Sequence, residues 1–430
     1  MNNNTFTLTI DSLSYGGRGV GRREDGKVVF VPAVIPGESL IVRTDKEHSS
    51  YCTADVVEIL EKSPKRIEPR CPLFSTCGGC DWQHIPYSDQ VYWKDAILRD
   101  EIHKSLQQGD LSYEQPVTSP VDFGYRGHAI LQCSYDPDLS LGFFMKKTNK
   151  VVEFDQCPIL SPGVQKIIDG LKRILRDNPL PGLSSIEVHA PQAESILLAR
   201  LDRTDPKRVS RIMEKVYNDL DISGVSFAML GPKRSDYVLG QKFCRYSLQI
   251  HGRPVHLSSA FGGFIQANEQ VNTDLIEYVA SLASGSEHIL DLYSGAGNFS
   301  IPLSRASSRV VGIEQSHKLV SQGRVSAKKN RAENVRFLAM DAKRAVESAR
   351  DENVGFDTVV LDPPREGAKD VARILPELKA KRIVYISCNP STLARDLKPI
   401  VGAGYAVKSV KMFDMFPQTY HIESVTYLER

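Results

Sequence analysis

The stretch HILDLYSGAGNFSIPLS, residues 288–304, decides the fold: an apolar strand runs into a glycine turn and then into a helix. Further apolar runs of strand length follow towards the C-terminus, in the segments RVVGIEQ, VRFLAMD, DTVVLDPPR and RIVYISC. Strands that alternate with helices form a parallel sheet with helices on both faces. From residue 262 onwards, the sequence therefore predicts a doubly wound, Rossmann-like α/β domain.

Chemically suggestive side chains stand where these strands end. Glu314, Asp341 and Asp362 each close a strand, and parallel sheets bind ligands at the carboxyl ends of their strands. Gly295 and Gly297 let the first turn approach a cofactor closely, and Glu314 can accept hydrogen bonds from ribose hydroxyls. The spacing G-x-G-x-F is a poor dinucleotide fingerprint, but together with the acidic residues it indicates S-adenosylmethionine.

Cys388 is the candidate nucleophile. It lies in VYISCNPSTLARD, residues 384–396, between a predicted strand and a helix that opens at Ser391. The partial positive charge of a helix start stabilises an anion, and the thiolate is the reactive form of cysteine. Taken alone, the stretch fits equally well with a free cysteine that packs as a small buried hydrophobe.

The N-terminal sixty residues predict a small barrel. Polar and apolar residues alternate in the short runs FTLTI, KVVFVPAV, SLIVRT and TADVVEIL, which suits an OB-like barrel. Between the first two runs, residues 14–27 (SYGGRGVGRREDGK) predict a glycine-rich loop with several arginines. Glycine lets a phosphate approach the backbone and arginine neutralises it, so we expect RNA contact here, although a solvated hairpin has the same composition.

Three cysteines follow the barrel with the spacing C-x5-C-x2-C: Cys71, Cys77 and Cys80. Cys157, in the turn-like FDQCPIL, is the best candidate for a fourth ligand. Four thiolates without histidine fit structural zinc or an iron–sulfur cluster. The neighbouring glycines and prolines favour iron, and a cluster of cysteines without any metal is the alternative.

The composition is that of a soluble globular protein with two or three domains. The chain has 430 residues, of which 41% are hydrophobic and 25% charged, and a formal net charge of +2. No apolar run is long enough for a membrane span, and the N-terminus has no secretion signal, so we expect a cytoplasmic protein with reduced cysteines. We predict a barrel over 1–62, a central α+β domain over 63–261 and the α/β domain over 262–430, with 92–118 packed on the latter.

Five segments, in this order, carry a resemblance to the RNA uracil-5-methyltransferase family. They are GGFIQANEQ (262–270), DLYSGAGNF (291–299), LDPPREG (361–367), ISCNPSTLARD (386–396) and DMFPQTYHIESV (414–425). The resemblance runs nearly end to end, with no departure at a key position. It implies a multidomain α/β protein in which a TRAM barrel precedes a domain with an iron–sulfur cluster and a methyltransferase domain.

The resemblance also implies roles for individual residues. Cys388 falls on the family's nucleophile and Glu423 on its base. Cys71, Cys77, Cys80 and Cys157 match the members that hold a 4Fe-4S cluster. The residues that would line S-adenosylmethionine are Gln266, Tyr293, Asn298, Glu314, Asp341 and Asp362.

The expected activity is methylation of carbon 5 of a uridine in 23S ribosomal RNA, through a covalent adduct of Cys388 with carbon 6. We expect a monomer that binds RNA and no membrane. Transfer RNA is the alternative substrate, and a non-catalytic RNA-binding protein is a further alternative. An amino-group methyltransferase usually has an aromatic residue where Arg365 stands, and a radical enzyme needs a cluster with only three cysteines.

Overall fold

The structure is a computed structural model that describes residues 5–106, 111–135, 139–202, 204–229 and 237–430. Its first unit is a six-stranded barrel with the strand order β1-β5-β6-β4-β3-β2. Strand β1 pairs with β5 at one end of this order, and β2 pairs with β3 at the other end. Only two residues separate β1 from β2, so the two ends of the sheet meet and the sheet closes. The strands are β1 Thr5–Thr9, β2 Ser12–Leu13, β3 Arg18–Arg22, β4 Val28–Pro32, β5 Ser39–Glu47 and β6 Tyr51–Glu61.

The prediction of one glycine-rich loop over residues 14–27 is wrong. The segment forms two turns, one on either side of strand β3. Gly19 and Gly21 point into the barrel, where a Cβ would collide with the Val34 side chain and with the Thr9 carbonyl. These two glycines therefore serve close packing of strands rather than the approach of a phosphate.

The central region is built on a seven-stranded sheet with the order β13-β12-β11-β10-β7-β8-β9. Helices α2 and α3 cover one face, where their apolar stripes share a core with β10 and β11. Before the sheet comes α1, Tyr87–Leu106. The remaining elements are β7 His128–Tyr135, β8 Leu139–Phe144, β9 Val151–Glu153, α2 Pro162–Asp177, β10 Leu183–His189, β11 Ile196–Leu201, α3 Pro206–Asp219, β12 Gly224–Met229 and β13 Tyr237–Gly240.

The C-terminal region is a doubly wound sheet with the order β18-β17-β16-β19-β20-β22-β21, after a hairpin of β14 and β15. Strands β16 to β20 run parallel, and β22 is antiparallel to both β20 and β21. The strands are β14 Phe243–Ile250, β15 Arg253–Ala260, β16 His288–Leu292, β17 Arg309–Glu314, β18 Val335–Ala339, β19 Thr358–Leu361, β20 Arg382–Ser387, β21 Ala406–Phe413 and β22 Glu423–Glu429. The helices are α4 Glu269–Leu282, α5 Ser300–Leu303, α6 His317–Lys329, α7 Ala342–Asp351, α8 Lys369–Ile374, a 3₁₀ turn Leu375–Leu378 and α9 Pro390–Gly402.

The hydrophobic cores cross the predicted domain limits. Ile97 and Leu98 of α1 share a core with Leu393 and Leu397 of α9, and the β14–β15 hairpin shares a core with α4 and β16. The limits 1–62, 63–261 and 262–430 stay a prediction, and this packing favours a catalytic unit that also takes in α1 and the hairpin.

A buried polar cluster joins the central sheet to β15. Glu187 accepts hydrogen bonds from His189 (2.5 Å) and Arg200 (2.7 Å), and His128 Nε2 lies 3.6 Å from the same carboxylate. On the other side of its ring, the Nδ1 atom of His189 lies 3.2 Å from the hydroxyl of Ser259. The Arg200 guanidinium compensates the charge of the Glu187 carboxylate in this cluster.

None of the helices in the described ranges combines the length and the apolar character that crossing a membrane would require.

Candidate active site

The parallel sheet brings the predicted site residues to one edge. Tyr293, Glu314 and Asp362 stand at the carboxyl ends of β16, β17 and β19, and Cys388 directly follows β20. Since parallel strands present their carboxyl ends on the same side, these side chains border one crevice.

Glu423 reaches this edge from the opposite direction. It is the first residue of β22, whose antiparallel register with β20 pairs Ser424 with Ser387. Glu423 and Cys388 each stand one position beyond this last pair, so both lie at the same edge of the sheet, and the Glu423 charge acts on the pKa of the Cys388 thiol. The predicted position of the C-terminal tail beside the fifth parallel strand is confirmed.

The backbone around Cys388 is held by the cap of α9. The Asn389 side chain accepts hydrogen bonds from the amides of Ser391 (3.1 Å) and Thr392 (3.5 Å), and Pro390 occupies the first helical turn. The capping residue thus follows the nucleophile immediately, which fixes where the strand ends and the helix begins.

The electrostatics of the thiol contradict the sequence prediction of a stabilised thiolate. Burial, with the charges of Glu423 and Asp362, raises the pKa of Cys388 to about 12, although Arg365 opposes the shift. Desolvation and two acidic neighbours therefore outweigh the helix start, whose effect is small and confined to the first turn. At neutral pH the thiol is protonated.

The two acids also hold their protons more tightly than usual. Burial raises the pKa of Asp362 to about 7. Burial and then the Asp362 charge raise the pKa of Glu423 well above its usual range, and Arg365 acts in the opposite sense. A carboxyl with a raised pKa is suited to exchange protons near neutral pH.

Three residues predicted to line the cofactor also have roles in the fold. Glu314 accepts hydrogen bonds from the amides of Gly295 (3.2 Å) and Ser316 (2.7 Å). Asn298 exchanges two hydrogen bonds of 3.0 Å with Asn272, and Asp341 caps α7. A carboxylate oxygen has a second lone pair, so Glu314 can still accept from a ribose.

The crevice beside Glu314 has the character of a ligand site. A Cβ at Gly295, which has φ of +55°, would meet no atom within 4 Å, so the turn borders open space. Ser294 Oγ and Asp291 Oδ1 are buried and have no hydrogen-bond partner among the residues that the structure describes. Burial raises the pKa of Asp291 to about 7. Open space beside unpartnered polar groups fits a polar cofactor such as S-adenosylmethionine. Gln266 lies partly exposed in the segment between β15 and α4.

The four predicted metal ligands come together in the central region. Cys71, Cys80 and Cys157 contact one small apolar cluster, and the charges of Cys157 and Cys77 add to burial in raising the pKa of Cys80 to about 12. The backbone amide of Gly79 donates to Cys77 Sγ over 3.4 Å. The sequence spacing and the separate segment around Cys157 thus converge in space.

Sequence reasoning gave no site role to Tyr15, Tyr420 or His421. Tyr15 and Tyr420 form an edge-to-face pair with ring centroids 5.7 Å apart, and Tyr15 contacts Cys388. The Arg365 guanidinium lies 3.4 Å from His421 Nε2, and burial and then Arg365 lower the pKa of His421 to about 3. No local pattern could have revealed these contacts, although His421 stands two positions from Glu423.

We predict that Glu423→Gln makes the thiol more acidic. The charge of Glu423 raises the pKa of Cys388, so its removal should lower the thiol pKa. A drop of about one pKa unit would speed alkylation by iodoacetamide ~10-fold at a fixed pH. The rate at Cys388 is measured by peptide mass spectrometry across neutral and alkaline pH.

Glu366→Gln is the matched control, because Glu366 is exposed in the loop that carries Arg365. An unchanged pH profile in Glu423→Gln, or the same shift in both variants, would contradict the electrostatic assignment.

Known protein families match most of this chain. The tRNA (Uracil-5-)-methyltransferase family matches residues 99–430, and the TRAM domain family matches residues 1–57. The 23S rRNA (uracil(1939)-C(5))-methyltransferase RlmD of Pseudomonas putida is 33% identical over 98% of this chain and 93% of its own length. The protein of the same name from Alkalilimnicola ehrlichii is 34% identical over 99% and 96%.

A solved structure is also similar over nearly the whole chain. It is the Pyrococcus abyssi tRNA (uracil-54, C5)-methyltransferase in complex with S-adenosyl-L-homocysteine, with a TM-score of 0.76 and 25% identity, covering 98% of this chain and 99% of that one. The family match spans well over half of the sequence and ends at the last residue, beyond Cys388 and Glu423. This chain therefore belongs to the tRNA (Uracil-5-)-methyltransferase family and carries an N-terminal TRAM domain.

Proposed function

We propose that the protein is an S-adenosylmethionine-dependent methyltransferase that forms 5-methyluridine in 23S ribosomal RNA. The observation that carries the proposal is that the β20–β22 ladder ends one position before both Cys388 and Glu423, at the edge where parallel sheets bind ligands, and that the Glu423 charge acts on the Cys388 thiol. Full-length relatives named as 23S rRNA methyltransferases support the ribosomal substrate. RNA of this kind would be met in the cytoplasm.

Cys388 would act as the nucleophile. Its sulfur adds to carbon 6 of the uracil as the thiol proton passes to water, and the electron pair of the 5,6 double bond moves onto carbon 5 and the neighbouring carbonyl, which leaves carbon 5 enolate-like and nucleophilic. Because the pKa of the thiol is raised to about 12, loss of the proton has to accompany the attack. Bound S-adenosylmethionine would supply an electrophilic methyl group for carbon 5.

Glu423 would act as the base that completes the reaction. Its carboxylate removes the proton from carbon 5, and the electron pair released expels the Cys388 sulfur from carbon 6. The raised pKa of Glu423 suits a group that takes up a proton near neutral pH. Asp362 and Arg365 set the local charge around both groups.

The target uridine has to leave its stack before this chemistry. Carbons 5 and 6 are covered in a stacked strand, so the base is turned out into the crevice while flanking nucleotides are held elsewhere on the protein. The TRAM barrel is the element we propose for that contact, together with the exposed Arg22 at the end of β3.

The residues that would hold the cofactor are Gln266, Tyr293, Asn298, Glu314, Asp341 and Asp362. Open space at Gly295 and the unpartnered Ser294 hydroxyl support this placement. Glu314 is suited to the ribose, because both of its oxygens are already oriented by backbone amides.

We further propose that Cys71, Cys77, Cys80 and Cys157 hold a 4Fe-4S cluster. Thiolates on one zinc ion lie roughly 3.8 Å apart, because the Zn–S bonds are about 2.3 Å and tetrahedral. No three of these four sulfurs, all within the described residues, lie within 4.8 Å of one another. A cubane, in which each thiolate binds a different iron, suits such a wider set.

Transfer RNA is the second candidate substrate. The Pyrococcus abyssi neighbour, a tRNA methyltransferase by its name, matches this chain from end to end. The residues at the sheet edge would perform the same chemistry on either RNA.

Release of tritium from carbon 5 of labelled uridine tests the activity. We expect release from a 23S ribosomal RNA transcript in the presence of S-adenosylmethionine, and background release from the Cys388→Ala variant because no adduct forms. Release only from a transfer RNA mixture would overturn the substrate, whereas undiminished release by Cys388→Ala would overturn the covalent mechanism.

Elemental analysis tests the cluster. We expect anaerobically purified protein to contain iron and acid-labile sulfide, to absorb broadly in the visible, and to lose nearly all iron in Cys77→Ser. Cys133→Ser is the control, since Cys133 lies on β7 and outside the set of four. A colourless protein that contains zinc would refute the iron assignment.

A further inference from the structure

The barrel reaches the active site through its first hairpin turn. The Tyr15 hydroxyl donates to the backbone carbonyl of Cys388 over 3.3 Å, although the two residues are 373 positions apart. The Tyr15 ring meets Tyr420 edge to face at an interplanar angle of 88°. A residue of the predicted RNA-binding unit therefore contacts the backbone of the candidate nucleophile.

Independent contacts hold this turn against the catalytic unit. The indole of Trp82, a residue with 0% exposure, donates to the Gly17 carbonyl over 3.2 Å. Gly17 has φ of +79°, and a Cβ there would lie 3.0 Å from the Tyr420 ring. Leu13, at the start of the turn, belongs to the same core as Trp82 and Leu290. These contacts of Leu13 and Gly17 fix the position of the turn that carries Tyr15.

The Cys388 carbonyl is a sensitive point of the backbone. Ser387 makes the last ladder pair of β20, and Asn389 caps α9, so Cys388 belongs to neither hydrogen-bonded element. A hydrogen bond to the Cys388 carbonyl therefore helps to fix the orientation of this peptide group. The orientation of the backbone in turn sets the direction in which the Cys388 side chain leaves it. Tyr15 is such a partner.

The phenol remains a donor throughout the working range of pH. Burial and then the Cys388 charge raise the pKa of Tyr15 to about 12, so the hydroxyl is protonated at neutral pH. A neutral hydroxyl can hold the carbonyl without placing a further negative charge beside the thiol.

We propose that Tyr15 is a positioning residue for the nucleophile, and that the TRAM barrel is therefore a wall of the active site as well as an RNA-binding module. The inference rests on the proposed role of Cys388. It assigns a part of the reaction geometry to a domain whose predicted task was RNA contact alone.

Tyr15→Phe tests the proposal, because it removes the hydroxyl and keeps the ring against Tyr420. Loss of one hydrogen bond predicts a kcat reduced ~2–10-fold at an unchanged KM for the RNA. Tyr405→Phe is the matched control: its hydroxyl also donates to a backbone carbonyl, that of Ala380 over 2.6 Å, in the core beside α9. We expect wild-type kcat and KM in that variant.

A second readout does not require RNA. Without the hydroxyl, water reaches the Cys388 backbone more easily, and since burial is the main cause of the raised thiol pKa, alkylation of Cys388 should begin at lower pH. The rate is followed by peptide mass spectrometry in the wild type, Tyr15→Phe and Tyr405→Phe.

The outcomes separate this inference from the proposed function. A fall in kcat of Tyr15→Phe at unchanged KM supports the inference. If the wild-type protein methylates neither ribosomal nor transfer RNA, the proposed function fails, and the role of Tyr15 is then decided by the alkylation shift alone. If Tyr15→Phe keeps the wild-type kcat, with or without a change in KM, the inference is overturned. If the wild-type protein methylates no RNA, an alkylation profile of Tyr15→Phe that does not shift from the wild type overturns it as well.

Discussion

The active site depends on the antiparallel insertion of β22 between β20 and β21. In a fully parallel sheet, the first residue of the last strand would lie at the opposite edge of the sheet from Cys388. Because β22 runs in the opposite direction, its first residue, Glu423, lies at the edge where Cys388 stands, one position beyond the last ladder pair with β20. The proposed base is thus placed by β22, and the proposed nucleophile by the end of β20 and the cap of α9, which suits chemistry that needs groups placed within a fraction of an ångström.

The same arrangement disfavours the thiolate form of Cys388 in the free protein. Two carboxyl groups and a desolvated setting raise the pKa of the thiol, while Arg365 alone among its charged neighbours lowers it. The site therefore favours neutral, protonated groups until a substrate enters. A bound uracil accepts negative charge on its ring when the sulfur adds to it, so the thiol can lose its proton in the complex. Without substrate, the protonated thiol is protected from oxidation and disulfide exchange.

The sequence predicted the catalytic half well because each strand carries its own apolar run and each ends in a polar residue that the parallel sheet collects at one edge. It failed where the outcome depends on contacts distant in sequence. Segment 14–27 looks like a loop, yet Gly19 and Gly21 lie in a strand, because barrel closure needs residues without side chains there. The pKa of Cys388 is raised by burial and by acidic residues on other strands. Its carbonyl accepts a hydrogen bond from Tyr15, which belongs to the N-terminal barrel. The roles of the cofactor and cluster residues rest on family resemblance and remain predictions.

The most direct test of the account is to trap the covalent adduct. With Glu423→Gln, a 23S ribosomal RNA transcript and S-adenosylmethionine labelled in the methyl group, removal of the carbon 5 proton is blocked and the Cys388–carbon 6 bond should persist. We predict a labelled protein–RNA complex that survives a denaturing gel and is absent when Cys388→Ala is added to the same variant. Efficient turnover by Glu423→Gln without any such complex would contradict the assignment of Glu423 as the base, and a complex that forms without Cys388 would contradict the nucleophile.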